Sequence, residues 1–170
     1  GLYQHFTAIA DAVSIPGILY NVPTRTALNM DAATTLRLAD VPNIVGVKEA
    51  SSDPDQIAYV IKDSPEDFKV WSGNDNETFA TMATGGYGIV SVAGNIISGQ
   101  IQKMMGLLLE GDVEAAAAEH LRLLPIFNAL FFITNPIPVR YAMNRSSFDV
   151  GPARLPMIPE PGEFEAFSKR

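Results

Sequence analysis

The sequence contains no cysteine, which excludes a disulfide framework and thiolate metal sites. Histidine is nearly as scarce. His5 and His120 are the only two, too few for a His-rich metal site, so no metal is expected. No apolar run is long enough to span a bilayer and no secretory leader is visible, so the residues read as cytoplasmic with no membrane partner. Positive charge is sparse as well: 12 Lys and Arg stand against 19 Asp and Glu, a net charge of −7. The basic residues are scattered and form no stripe, which argues against a nucleic-acid partner. A start Met is also missing. The chain opens with Gly1-Leu2-Tyr3-Gln4-His5-Phe6, already inside a helical pattern, and the expectation is a truncated or processed chain.

What is present is an apolar content of 47% with 9 Phe, enough for an ordered α/β core. Leu2, Phe6, Ile9, Ala10 and Val13 recur at helical spacing, and Pro16-Gly17 breaks that helix. Four short strands then alternate with helices, over 17–21, 44–48, 68–72 and 88–92. Asn29 or Asp31 can cap the helix over 30–39, and Asp53-Pro54 reads as a cap followed by proline at the first helical position. The alternation predicts βαβ units and a parallel sheet, and the near-continuous apolar strands predict burial on both faces. This pattern fits an open doubly wound sheet or part of a barrel. After Gly111-Asp112 the pattern turns helical, with Val113, Ala116, Ala117, Leu121 and Leu124 on one face. A short helix follows Pro136 and Pro138 to about 145, then a proline-rich tail with a turn near 164–167. We therefore divide the chain at 1–111 and 112–170.

Lys48 is the most informative residue. It closes an apolar strand, Ile44-Val45-Gly46-Val47-Lys48, and alternation puts Lys48, Gly46 and Ile44 on one face. Ligands of barrels and open α/β sheets gather at the C-terminal ends of strands. An amine there, partly removed from water, is more readily free to attack a ketone and form an imine. The alternative is a strand-end lysine that reaches solvent or pairs with Glu49. Tyr20 ends the preceding strand, either as a proton relay or as a core aromatic with its hydroxyl at the rim. Arg25 follows in the next loop, as a carboxylate clamp or as a surface charge. Gly73, in Ser72-Gly73-Asn74-Asp75, permits close backbone approach to a ligand or simply makes a turn.

Taken in order, these segments are more specific than any one of them. Tyr20-Asn21-Val22-Pro23-Thr24-Arg25-Thr26, Gly46-Val47-Lys48-Glu49-Ala50-Ser51, Ser72-Gly73-Asn74-Asp75, Gly85-Gly86-Tyr87-Gly88-Ile89-Val90-Ser91-Val92, Asn135-Pro136-Ile137-Pro138-Val139-Arg140 and Leu155-Pro156 follow one another. The series resembles the 4-hydroxy-tetrahydrodipicolinate synthase (dihydrodipicolinate synthase) family of pyruvate-dependent class I aldolases. The resemblance covers essentially the whole chain. It implies a (β/α)8 TIM barrel of which this chain carries strands five to eight plus a C-terminal helical extension.

The resemblance also implies the chemistry. Lys48 matches the imine-forming lysine and Tyr20 the relay tyrosine. Arg25 matches the arginine that binds the carboxylate of aspartate 4-semialdehyde, while Gly73 and Val90 match positions beside the pyruvate. The implied reaction condenses pyruvate with aspartate 4-semialdehyde, on the way to diaminopimelate and lysine, without metal or cofactor because the imine is the electron sink. Sibling aldolases acting on N-acetylneuraminate or 2-keto-3-deoxygluconate share the lysine and tyrosine, and Arg25 favours the synthase. Ala27 stands where the family usually has glycine, and Asn74 where Asp is common. The Gly-Thr-Thr-Gly-Glu segment and a second relay tyrosine would belong to a missing N-terminal half-barrel, expected as another chain or as the rest of a longer protein, with edge-to-edge association of two half-barrels as the third alternative. A homo-oligomer, commonly a tetramer, is implied too. Without that half, a catalytically inert half-barrel is the competing expectation.

Overall fold

The computed structural model describes residues 1–146 and 148–158. The turn expected near 164–167 lies outside the described residues. The chain forms two compact units, Gly1–Ser91 and Val92–Arg170. Among the described residues no helix is long and apolar enough to cross a membrane.

The first unit holds every strand. Its order is α1 (Leu2–Ala12), β1 (Gly17–Asn21), α2 (Pro23–Thr26), α3 (Ala32–Ala39), β2 (Ile44–Glu49), α4 (Pro54–Asp63), β3 (Lys69–Ser72), α5 (Thr78–Ala83) and β4 (Gly88–Ile89). A single 3-10 turn, Asp75–Glu77, leads into α5. The four strands pair in parallel in the order β1-β2-β3-β4. Consecutive strands are neighbours joined through helices, as βαβ units require.

Capping explains where the helices begin. Asp31, not Asn29, caps α3, its carboxylate accepting from Thr34 N at 2.8 Å. Asp53 caps α4, accepting from Gln56 N at 3.0 Å, with Pro54 in the first turn. The one-turn helix α2 was not anticipated from the sequence. Proline starts it, and Ala27 ends it in the left-handed region with φ 56°, a conformation that glycine adopts more readily than alanine.

The expectation of a sheet buried on both faces is corrected. Leu19, Asn21, Val47, Glu49, Val70 and Ser72 are buried, whereas Ile18 and Tyr20 are 50% and 47% exposed. The helices of this unit cover one face, where Leu19, Leu38, Val47, Val60, Phe68 and Val70 share a core. Nothing within the unit lies over the other face. Ile44 is also not on the face of Lys48. The register slips between Gly17 and Ile18, which pair with Ile44 and Gly46. The extra residue, Val45, inverts the alternation below it, and Ile44 joins the helix-side core.

The second unit contains α6 (Gly94–Leu109), α7 (Val113–Ala129) and α8 (Ile137–Arg145). Gly111 turns the chain at φ 86°, and Asp112 caps α7 through Ala115 N at 3.0 Å. Glu119 of α7 receives Lys103 from α6 and Arg122 from its own helix. Both cations hold its carboxyl below the usual range. Arg140 of α8 donates to the carbonyls of Val150, Gly151 and Pro152, pinning the segment that follows.

Candidate active site

All four strands run the same way, so their C-terminal ends lie together. Tyr20 and Lys48 are direct register partners across β1 and β2. They share the open face of the sheet, where the Lys48 Nζ lies 4.2 Å from the centre of the Tyr20 ring. Lys48 also pairs in register with Trp71 of β3. The alternative pairing of Lys48 with Glu49 does not occur. Successive residues of a strand point to opposite faces, and Glu49 is fully buried on the helix side.

Two glycines shape this end of the sheet. A Cβ at Gly46 would sit 2.2 Å from the Lys69 carbonyl oxygen and 2.5 Å from the Trp71 ring. The absence of a side chain therefore lets the indole lie against β2 beneath Lys48. A Cβ at Gly73 would meet the Ala50 Cβ at 2.6 Å and the Glu49 carbonyl oxygen at 3.0 Å. The Gly73 N–H donates to that same carbonyl at 2.6 Å. The bareness of Gly73 is thus used by the loop after β2. Val90 extends the β4 ladder by one bond, its N–H donating to Ser72 O at 3.0 Å, and the residue is 41% exposed. Arg25 sits in the last turn of α2, exposed, immediately beyond the end of β1.

A polar cluster that sequence reasoning missed lies behind Tyr20 and Lys48. The Asn21 amide donates to Asn29 Oδ1 at 2.8 Å and to Glu49 Oε1 at 2.9 Å. Glu49 also accepts from Ser51 N at 2.8 Å and Gln56 Nε2 at 3.2 Å. Asn29 donates to Gln56 Oε1 at 2.8 Å, and Met30 N to Asn21 Oδ1 at 3.0 Å. Burial pushes the Glu49 carboxyl up from its ordinary value, and the donors Ser51, Gln56 and Asn21 pull it partly back. A sequence signal existed. Asn21 and Glu49 are polar closures of otherwise apolar strands, and Gln56 stands three residues after the Asp53 cap, where a side chain usually turns back to the helix start.

Asp75 is another buried carboxyl at this end, accepting from the Ser91 hydroxyl next to Val90. A cavity of about 180 Å³ lies between α4 and α5, lined by Ser52, Pro54, Ile57, Glu77, Ala80, Thr81 and Thr84. It includes none of Lys48, Tyr20, Arg25, Gly73 and Val90. Among the described residues no three His, Asp or Glu side chains gather as metal ligands.

The sequence profile of the dihydrodipicolinate synthetase family matches residues 1–166. The chain belongs to that family. It is 51% identical to the 4-hydroxy-tetrahydrodipicolinate synthase of Moorella thermoacetica over 158 residues, which are 93% of this chain and 54% of the relative. The crystal structure of dihydrodipicolinate synthase from Aquifex aeolicus superposes with a TM-score of 0.94 at 37% identity, over 99% of this chain and 58% of that one. The chloride-inhibited dihydrodipicolinate synthase of Acinetobacter baumannii, crystallised with pyruvate, gives 0.93 at 34% identity, over 99% and 58%. The chain thus spans about half the length of the family members it matches. Its open parallel sheet is the corresponding portion of their barrel.

Proposed function

We propose that this chain is the catalytic-lysine portion of a synthase that condenses pyruvate with aspartate 4-semialdehyde to give 4-hydroxy-tetrahydrodipicolinate. The observation that carries the reading is the Tyr20–Lys48 pair, register partners with 4.2 Å between amine and ring centre. It sits on a sheet that matches family members closely.

The free amine of Lys48 attacks the ketone carbon of pyruvate, and loss of water leaves an imine. The protonated imine draws electrons from the neighbouring methyl group, which gives up a proton. The resulting enamine carbon then bonds to the aldehyde carbon of aspartate 4-semialdehyde, whose oxygen takes up a proton. The amino group of that substrate then attacks the imine carbon, closing the ring and releasing Lys48 as the amine. Tyr20 relays the protons through its hydroxyl. Arg25 holds the carboxylate of the second substrate with its planar fork. Gly73 and Val90 border the pyruvate with backbone groups. The imine is the electron sink, so neither metal nor cofactor enters these steps.

Within this reading the chain supplies strands five to eight of a (β/α)8 barrel over 1–111, and a helical extension over 112–170. Support comes from the elements after β4: three successive helices, α6, α7 and α8, with no further strand among the described residues. A chain that had just finished the first half of a barrel would go on to another strand. The first half is then a separate segment, and assembly of such barrels into a homo-oligomer in the cytoplasm completes the picture.

Borohydride reduction of the full-length polypeptide in the presence of pyruvate tests the assignment. The expected result is a pyruvate-derived mass on the peptide carrying Lys48, lost in Lys48→Ala. Label elsewhere, or none, refutes it. The exposure of Tyr20 and Val90 on an uncovered face favours one further outcome for residues 1–170 alone: a folded half-barrel that does not trap pyruvate.

A further inference from the structure

The densest polar cluster of the first unit lies behind the candidate site, on the other face of the sheet. A carboxylate is costly to bury, and an apolar residue of similar size would fill the same space at less cost. Glu49 is nevertheless fully buried. Its partners Asn21, Ser51 and Gln56 are all neutral donors, so no opposite charge among them offsets its burial.

Its position in the register is what stands out. Asn21 pairs with Glu49 one step beyond the pairing of Tyr20 with Lys48. The first pair is joined on the helix face, and the second meets on the open face. A bond that fixes Asn21 to Glu49 therefore fixes the backbone from which Tyr20 and Lys48 project. The same cluster reaches the Met30 segment through Asn21 and α4 through Gln56. It ties the ends of both strands to the loop before α3 and to α4.

From this we infer that Glu49 is a positioning residue: through Asn21 and Gln56 it clasps the ends of β1 and β2 so that Tyr20 and Lys48 meet in the geometry that imine formation needs. The inference rests on the reading of Lys48 as the Schiff-base lysine. Glu49 touches no substrate in it. Misplacement of a reacting pair slows a step far more than it weakens binding.

Three variants of the full-length polypeptide test the clasp: Glu49→Gln, Gln56→Met and Asn21→Ala. Glu49→Gln turns an acceptor into a donor facing other amide donors. It is expected to slow borohydride trapping of pyruvate about tenfold while leaving the apparent KM for pyruvate within about twofold. Gln56→Met removes one donor and is expected to cost about threefold. Asn21→Ala combined with Glu49→Gln is expected to be no slower than the worse single variant, the mark of residues acting as one unit. A merely structural role would lower the folded fraction without changing the rate per folded molecule. Wild-type trapping rates in folded Glu49→Gln and Gln56→Met overturn the inference, and if Glu49→Gln does not fold, Gln56→Met decides. Failure of the unaltered protein to trap pyruvate refutes the Schiff-base reading instead. The clasp is then judged by crystals of Glu49→Gln, where a Tyr20–Lys48 contact kept at 4.2 Å overturns it.

Discussion

At the scale of single residues, polar side chains at strand ends were easier to find than residues that make room for them. Lys48 and Tyr20 announce themselves as polar or reactive groups closing apolar strands, and the fold brings them together. Gly46 did not announce itself, because its role depends on which atoms the neighbouring strand places opposite it. The substitution Gly46→Ala would drive a Cβ to 2.2 Å from the Lys69 carbonyl oxygen. That oxygen belongs to the backbone, so the β2–β3 pairing must shift. The expected loss is about 3 kcal/mol or more, read as a lower denaturation midpoint, and near-wild-type stability would contradict the geometry. Gly73 carries the same lesson in reverse. Its sequence context shows only that backbone comes close there, and the fold shows which: the space its side chain would need is filled by Ala50 and Glu49. Glu49 was hidden for another reason. In sequence it adjoins Lys48 and looks like its ion-pair partner, and only strand alternation sends the two to opposite faces.

At the scale of elements, the strands and helices of the first unit were legible because cap, turn and periodicity signals agreed with one another. Disagreements arose where local signals were tied. Asn29 and Asp31 are both good caps, and tertiary hydrogen bonding chose between them by drawing Asn29 into the Glu49 cluster. The Asp31 cap yields a test. Asp31→Ala is expected to cost about 1 kcal/mol at neutral pH. Hydrogen bonds from Thr34 lower the Asp31 carboxyl below its ordinary 3.8. A lowered folded value means that the contribution is complete above pH 3.8 and disappears as pH falls through the folded value. The gap between wild type and Asp31→Ala in urea unfolding should therefore close at acid pH, and a gap that widens there contradicts the cap. The short helix α2 escaped notice because a single turn has almost no periodicity to read.

At the scale of the whole molecule, the sequence showed a parallel α/β sheet but not that the helices of the first unit cover only one of its faces. Apolar residues on both faces of a strand look the same whether the second layer is present or belongs to another segment. A sheet of four strands also leaves the outer edges of β1 and β4 without a strand neighbour among the described residues, a recognised route to association. Residues 1–170 expressed alone should therefore give mixed, concentration-dependent masses in light scattering. On the half-barrel reading, co-expression with a complementary half-barrel should give a single species. A sharp monomer from residues 1–170 alone would count against that reading. The bareness of Gly46 has a further consequence at this scale. The sequence has 1 Trp, and that indole lies against Gly46, in the strand position paired with Lys48. The molecule thus carries an intrinsic optical probe beside Lys48. Covalent capture of a keto acid there should change tryptophan emission with no label added, and the time course of that change would follow the chemistry directly.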